Sequence, residues 1–170
     1  MAAKFYIYSA ESDIATEVYI TATPDTSLLL EDQAKEIYSK ISRILKEKKA
    51  SLFMERIFAA SDATRKINDI RRKEYGSIDD GVLPSFLVCK PSAMGSFAGV
   101  QVHAIISNQP LEIVDIKDKP YGRFFSTDRC KYLSISGLSL PRLKKPANQA
   151  KKMFELTEQA MEKFGGNYHC

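Results

Sequence analysis

The fold is decided by VYITATP at residues 18–24, followed by QAK at residues 33–35 and LFMERIF at residues 52–58. These segments are typical of a strand, the opening of an amphipathic helix and a second strand. The same succession begins again with YLSISG at residues 132–137 and QAK at residues 149–151, but no second strand follows that helix. The sequence therefore predicts one complete unit and the opening part of a second copy. A copy without its second strand is expected to need a partner, or a longer chain, to cover its helix.

The composition is that of a globular protein that can form a hydrophobic core. Of the 170 residues, 44% are hydrophobic and 27% are charged, and the net charge is +4. This length predicts one domain, or one and a half. Basic residues alternate with acidic ones along the predicted helices, and no basic face carries interleaved aromatic residues. We therefore do not expect a nucleic-acid partner.

Several classes of protein are excluded by what the sequence lacks. No apolar run approaches the ~20 residues of a membrane span, and the first residues show no signal-peptide pattern, so no membrane association is expected. Three cysteines, Cys89, Cys130 and Cys170, are too widely spaced for a disulfide framework or a zinc site. They are typical of reduced thiols in a cytoplasmic protein. We expect no cofactor and no metal.

Hydrophobic periodicity predicts an α+β domain with the order β-β-α-β-α-β-β. Apolar residues recur at spacings of three and four between Ala34 and Leu45, which indicates one face of a helix. Two βα crossovers imply parallel strand pairs inside a mixed sheet with both helices on one face. The predicted strands are 5–8, 16–22, 51–60, 86–89 and 97–106, and the predicted helices are 30–48 and 62–75.

The rest of the chain predicts a connector and a partial second unit. The connector is expected to hold a short strand at 112–116, and the second unit a hairpin at 123–137 and a helix at 147–164. The expected divisions are a complete domain at 1–107, the connector at 108–121 and the partial unit at 122–170. The last helix should pack against the first domain or a neighbouring chain, because its apolar stripe is too large to leave in water. That stripe consists of Ala150, Met153, Phe154, Leu156, Thr157, Ala160, Met161 and Phe164.

This pattern resembles the reactive intermediate deaminase family, also called Rid or YjgF, and in particular its tandem, chorismatase-like branch. The resemblance implies a Rid-like, chorismate-mutase-like sheet followed by a partial second copy. It also implies trimers or pseudo-trimers with ligand pockets between neighbouring domains. The segments that carry it are EVYITATP at 17–24, the stretch from QAKEIYSK to FMERI at 33–57, GVQVHAII at 99–106, and GRFFSTDRCKYLSISGLSLP at 122–141 with the helix after it.

The resemblance implies a deaminase site that this chain does not reproduce. Deaminases of the family hold the substrate carboxylate with an arginine near the start of the strand that matches 86–89, because a guanidinium binds a carboxylate through two parallel hydrogen bonds. Residues 81–85 contain no arginine. The family's glutamate falls at Gln101, which cannot act as a carboxylate base, and its tyrosine falls near Phe124 or Phe125, which lack the hydroxyl. We expect no enamine or imine hydrolysis from this chain alone.

Five residues are candidates for ligand binding, and no catalytic residue is assigned. Arg123, beside Phe124 and Phe125, lies where the family builds its pocket, although an ordinary surface arginine is an alternative. Gln101 occupies the family's glutamate position. His103 could act as a general base near neutral pH, but a half-buried histidine that faces a neighbouring subunit is the favoured interpretation.

Three functional hypotheses follow. The first is a divergent tandem Rid or chorismatase-like protein that binds a small carboxylate metabolite, with a hydrolase- or lyase-like activity open if a second domain is completed. The second is a non-catalytic Rid-fold module for assembly or metabolite binding. A distant third is an RNA-directed role of the endoribonuclease or translation-inhibitor type. In each case we expect a homo-oligomer, as a trimer or pseudo-trimer.

Overall fold

The computed structural model describes residues 2–89, 95–127, 129–140 and 142–166, apart from the side chain of Cys89. Cys170 lies outside these residues. The strands are β1 (Lys4–Glu11), β2 (Thr16–Thr23), β3 (Ser51–Ala60), β4 (Ser85–Cys89), β5 (Phe97–Ile106), β6 (Glu112–Ile116), β7 (Lys119–Ser126) and β8 (Lys131–Ile135). The helices are α1 (Leu30–Lys48), α2 (Thr64–Tyr75) and α3 (Pro146–Glu162). The α+β class predicted from the sequence is confirmed.

The first unit is a five-stranded mixed sheet with the order β1-β2-β5-β3-β4. The β3–β4 pair is parallel and the other pairs are antiparallel. Because side chains alternate along a strand, Val18, Ile20 and Ala22 of β2 face the same side as Val100, Val102 and Ala104 of β5. These residues share one core with α1 and α2, so both helices cover the same face of the sheet.

A buried ion pair lies inside this unit. The guanidinium of Arg71, on α2, donates from Nε to Oε2 of Glu55, on β3, at 2.5 Å, and both side chains are about 1% exposed. Tyr75 donates its hydroxyl to the other oxygen of Glu55 at 2.9 Å, and Asp79 accepts from Nη1 of Arg71 at 2.8 Å. Burial lowers the pKa of Arg71, but Glu55, Tyr75 and Asp79 together more than offset this and hold that pKa above its ordinary value.

The second unit is a three-stranded antiparallel sheet with the order β6-β7-β8, and α3 packs against it. Its buried hydrophobic core is small and consists of Val114, Ile116, Phe124, Leu156 and Ala160. The predicted strand at 112–116 is β6, and it pairs with β7 across a two-residue turn. The second sheet therefore begins within residues 108–121, the segment that the sequence predicts to be a connector.

Two hairpins, β1–β2 and β7–β8, have the same turn. The Ser12 hydroxyl accepts a hydrogen bond from the amide of Ala15 and donates to its carbonyl, at 3.2 and 2.8 Å. The Thr127 hydroxyl makes the same pair of bonds with Cys130, at 2.9 and 3.0 Å. In each turn the amide of the first residue also donates to the carbonyl of the fourth. The two turns are therefore equivalent serine/threonine turns.

The helices after these hairpins also begin alike. The side-chain amide of Gln33 donates to the carbonyl of Leu28 at 2.7 Å, and that of Gln149 donates to the carbonyl of Leu143 at 2.5 Å. These are the glutamines of the two QAK segments. In both units this bond ties the loop after the hairpin to the first turn of the helix. Among the described helices, none has the length and apolar character needed to cross a membrane.

Candidate functional site at the junction of the two sheets

The two sheets are joined by a buried arginine, Arg123 of β7. Its guanidinium donates from Nε and Nη2 to the two carboxylate oxygens of Asp80, at 2.6 and 2.7 Å, and from Nη1 to the carbonyl of Phe53 at 3.3 Å. The Arg123 side chain is 2% exposed and that of Asp80 is 28% exposed. The fork that could bind a ligand carboxylate is thus occupied by Asp80, and Arg123 holds the second sheet against β3.

Phe124 and Phe125 point to opposite sides of β7, as alternation along a strand requires. Phe125 is buried with Phe53 and Ile105 in a small core between the two sheets. Phe124 faces α3 and stacks on Phe164, with 3.8 Å between ring centroids. Of the three neighbouring candidates on β7, two therefore lie at the junction and one lies in the core of the second unit.

A cavity of about 760 Å³ lies at one side of the junction. Its walls come from the segment that leads into β4, from the end of β8 and from α3. The lining is largely apolar, with the hydroxyls of Ser85, Ser139 and Thr157 among it, and no described residue of the lining is charged. A concave and mainly apolar space with a few polar groups is the usual form of a small-molecule site.

Gly137 brings the end of β8 against the first unit at this cavity. Its φ is +65°, and a Cβ at this position would lie 2.7 Å from Cβ of Leu83. Only glycine adopts this conformation at little cost, and only glycine leaves room for the approach. Gly137, which follows β8, thus forms part of one wall of the cavity.

His103 lies on the face of β5 that is turned away from α1 and α2. It stacks on Tyr19 of β2, with 4.5 Å between ring centroids, and meets the edge of the Phe53 ring. Its Nε2 lies 2.8 Å from Oε2 of Glu17. The Tyr19 hydroxyl donates to the same oxygen at 2.5 Å.

The pKa values of this cluster follow from its contacts. Burial lowers the pKa of His103, and the Glu17 carboxylate opposes that shift only in part. The hydrogen bond to Glu17, with burial, raises the pKa of Tyr19 to about 12. At neutral pH the imidazole is therefore neutral and the phenol protonated, and the Tyr19 hydroxyl orients the Glu17 carboxylate.

Gln101 lies two residues before His103 on the same strand and the same face. It is exposed and is paired in register with Thr21 of β2 and Arg56 of β3. The five sequence candidates are therefore divided between the junction, the second core and an open sheet face. They do not form one pocket.

Two functional side chains were missed by sequence reasoning, Asp80 and Glu17. Glu17 could have been found, because alternation along β2 places it on the face of Tyr19, and pairing with β5 brings that face to His103. Asp80 lies 43 residues from Arg123, and no local pattern indicates their pairing.

No protein-family model matches this chain, and no curated protein matches it. Within the described residues, histidine, cysteine and acidic side chains form no group of three or more that could hold a metal ion.

Proposed function

We propose that the chain is a divergent tandem Rid-type protein that binds a small carboxylate metabolite between its two units, and that its first domain lacks the deaminase residues. The observation that carries the proposal is the 760 Å³ cavity. It lies at the start of β4 and between two units, where the resemblance implies a ligand pocket. The equivalent turns at Ser12 and Thr127 and the equivalent glutamines at Gln33 and Gln149 support the internal repeat.

The chemistry of the cavity favours a ligand with an apolar body and one polar end. Leu83, Phe86 and Met153 offer apolar contacts, whereas the hydroxyls of Ser85 and Ser139 can donate to a carboxylate. The residues that deaminases of the family use are replaced by the neutral Gln101 and by phenylalanine. Binding without hydrolysis is therefore the expected activity.

The proposal is tested by ligand-observed NMR with 4-methylpentanoate and its neutral amide. Binding of the acid should be weakened about tenfold by Ser85→Ala and by Ser139→Ala, because each removes a donor. Ser9→Ala, on β1 at the edge of the first sheet opposite β4, is the matched control and should bind normally. Equal binding by all variants, or preference for the amide, would contradict the proposed ligand class.

Catalysis is tested separately with 2-aminoacrylate. The purified chain should not accelerate its hydrolysis. Acceleration that Gln101→Ala abolishes would place a deaminase site on the open face of β5 and overturn the non-catalytic part of the proposal.

We also propose that the chain associates through the sheet face opposite α1 and α2. Tyr6 and Tyr8 of β1 are 67% and 66% exposed on this face, beside Tyr19. Aromatic side chains of this size are enriched at protein interfaces. Sedimentation should show a species larger than the 19.1 kDa monomer, and Tyr6→Ser with Tyr8→Ser should reduce it. A monomer at all concentrations would contradict this.

A further inference from the structure

A second cavity, of about 170 Å³, lies between the two equivalent hairpin turns. The β1–β2 turn contributes Ser12, Ile14 and Ala15, and the β7–β8 turn contributes Thr127, Arg129 and Cys130. It shares no lining residue with the 760 Å³ cavity. The repeat therefore places two like turns face to face and leaves a separate space between them.

Among the described residues, two of opposite charge line this small cavity. Glu17 reaches it from β2 and Arg129 from the β7–β8 turn. The Oε2 atom of Glu17 accepts a hydrogen bond from Tyr19 and lies near Nε2 of His103, while Oε1 accepts no hydrogen bond from any described residue. Arg129 forms no ion pair with a described side chain, including Glu17. The cavity thus has on its walls the negatively charged carboxylate of Glu17, which is a hydrogen-bond acceptor, and the positively charged guanidinium of Arg129, which is a donor.

The remaining walls are apolar and aromatic. Ile105 and Phe125 belong to the buried core between the sheets, and Tyr132 of β8 stands beside them. Aromatic ring faces favour a nearby ammonium group. Because a water molecule occupies ~30 Å³, the volume holds about six water-sized groups, which is the size class of a small amino acid.

We propose that this cavity binds a small zwitterion of the α-amino-acid class. Glu17 holds the ammonium group, Arg129 holds the carboxylate, and Ile105 and Phe125 contact a short hydrocarbon side chain. A ligand with a single positive charge would leave Arg129 without a partner, and one with a single negative charge would face Glu17. The Tyr19 hydroxyl holds Oε2 of Glu17 and does not line the cavity. The inference is independent of the function proposed for the larger cavity.

Isothermal titration calorimetry with L-valine, isobutylamine and isovalerate tests the proposal, because the last two each lack one charge of valine. Valine should bind saturably, and each analogue about tenfold more weakly or worse. Glu17→Gln and Arg129→Gln should each cost about tenfold in valine affinity. Glu162→Gln and Arg142→Gln change exposed residues of the same types outside the cavity and should leave the affinity unchanged.

Alkylation of Cys130 gives a second measurement on the unaltered protein. The thiol is free and exposed and lines the cavity. Bound valine should slow the reaction of this thiol with iodoacetamide more than isobutylamine or isovalerate does. The reaction is followed on the peptide that contains Cys130. The proposal is overturned if valine does not bind saturably, if either analogue binds as tightly, or if both cavity variants keep the wild-type affinity.

Discussion

Helices α1 and α3 follow equivalent hairpins but are covered to very different extents. Eight of the 19 residues of α1 are buried, whereas only Leu156 and Ala160 are buried among the 17 of α3. Phe154, in the apolar stripe of α3, is 64% exposed. The same helical pattern thus gives a buried face over a five-stranded sheet and a half-covered one over three strands. Burial depends on the strands that a unit supplies and not on the helix pattern alone.

The buried arginines of the two regions likewise differ in how far their carboxylate partners are buried. Arg71 is paired with Glu55 inside the first unit, and both are almost wholly buried. Arg123 is paired with Asp80 between the units, and Asp80 is partly open to solvent. The first unit is therefore stabilised from within, while the second unit is stabilised by its attachment to the first. Three variants probe the stability of these regions, and they follow in order from the largest expected effect on unfolding to the smallest.

Arg71→Met should have the largest effect. It leaves the Glu55 carboxylate buried without its cation, and breaking a buried pair in this way costs about 3–5 kcal/mol. The free energy of unfolding, measured with urea, should fall by that amount. Arg72→Met is the matched control, because Arg72 is the exposed neighbour of Arg71 and its pair with Asp79 is worth little. Equal losses in the two variants would show that burial does not distinguish the pairs.

Gly137→Ala should have an intermediate effect. The alanine must adopt a positive φ, which costs about 1–2 kcal/mol, and its Cβ meets Leu83. Gly165→Ala is the control, since Gly165 has a φ of +75° with no neighbour closer than 3.6 Å to the added Cβ. Urea unfolding should show a larger loss for Gly137→Ala. If the losses are equal, the contact between β8 and the first unit contributes nothing measurable.

His103→Phe should change the pH dependence of stability, with the smallest effect of the three. Burial lowers the pKa of folded His103 below 6.5, so the unfolded chain binds the proton more readily. Stability is then lost as the pH falls from about 6.5 towards the folded pKa. The phenylalanine variant keeps the stacked ring but not this loss. If urea unfolding has the same pH profile for both proteins, His103 does not contribute to the pH dependence of stability.

Sequence reasoning located the strands and helices because each carries its own period. It assigned most of the β6–β7 hairpin, the first hairpin of the second sheet, to a connector. Residues Lys117 and Asp118 form its turn with φ values of +52° and +60°, a geometry that usually carries glycine or asparagine. Because neither residue is one of these, the turn left no local signal, and the segment resembled a connector.

The candidate site was only partly predictable. His103 and Phe125 could be assigned to strand faces from alternation. The role of Arg123 could not, because it depends on Asp80, a residue of another unit. The cavities are likewise formed by segments distant in sequence. Spacing within one element indicates which face a residue occupies, but not what that face meets.

Hydrogen exchange of Arg123→Met tests the attachment of the second unit most directly. The amides of β6, β7 and β8 should exchange at least about tenfold faster than in the wild type, while those of β2, β3 and β5 stay unchanged. Arg142→Met, an exposed arginine of the same unit, should alter neither sheet. Faster exchange in both sheets alike, or in neither, would contradict the claim that the second unit is held in place by its junction with the first.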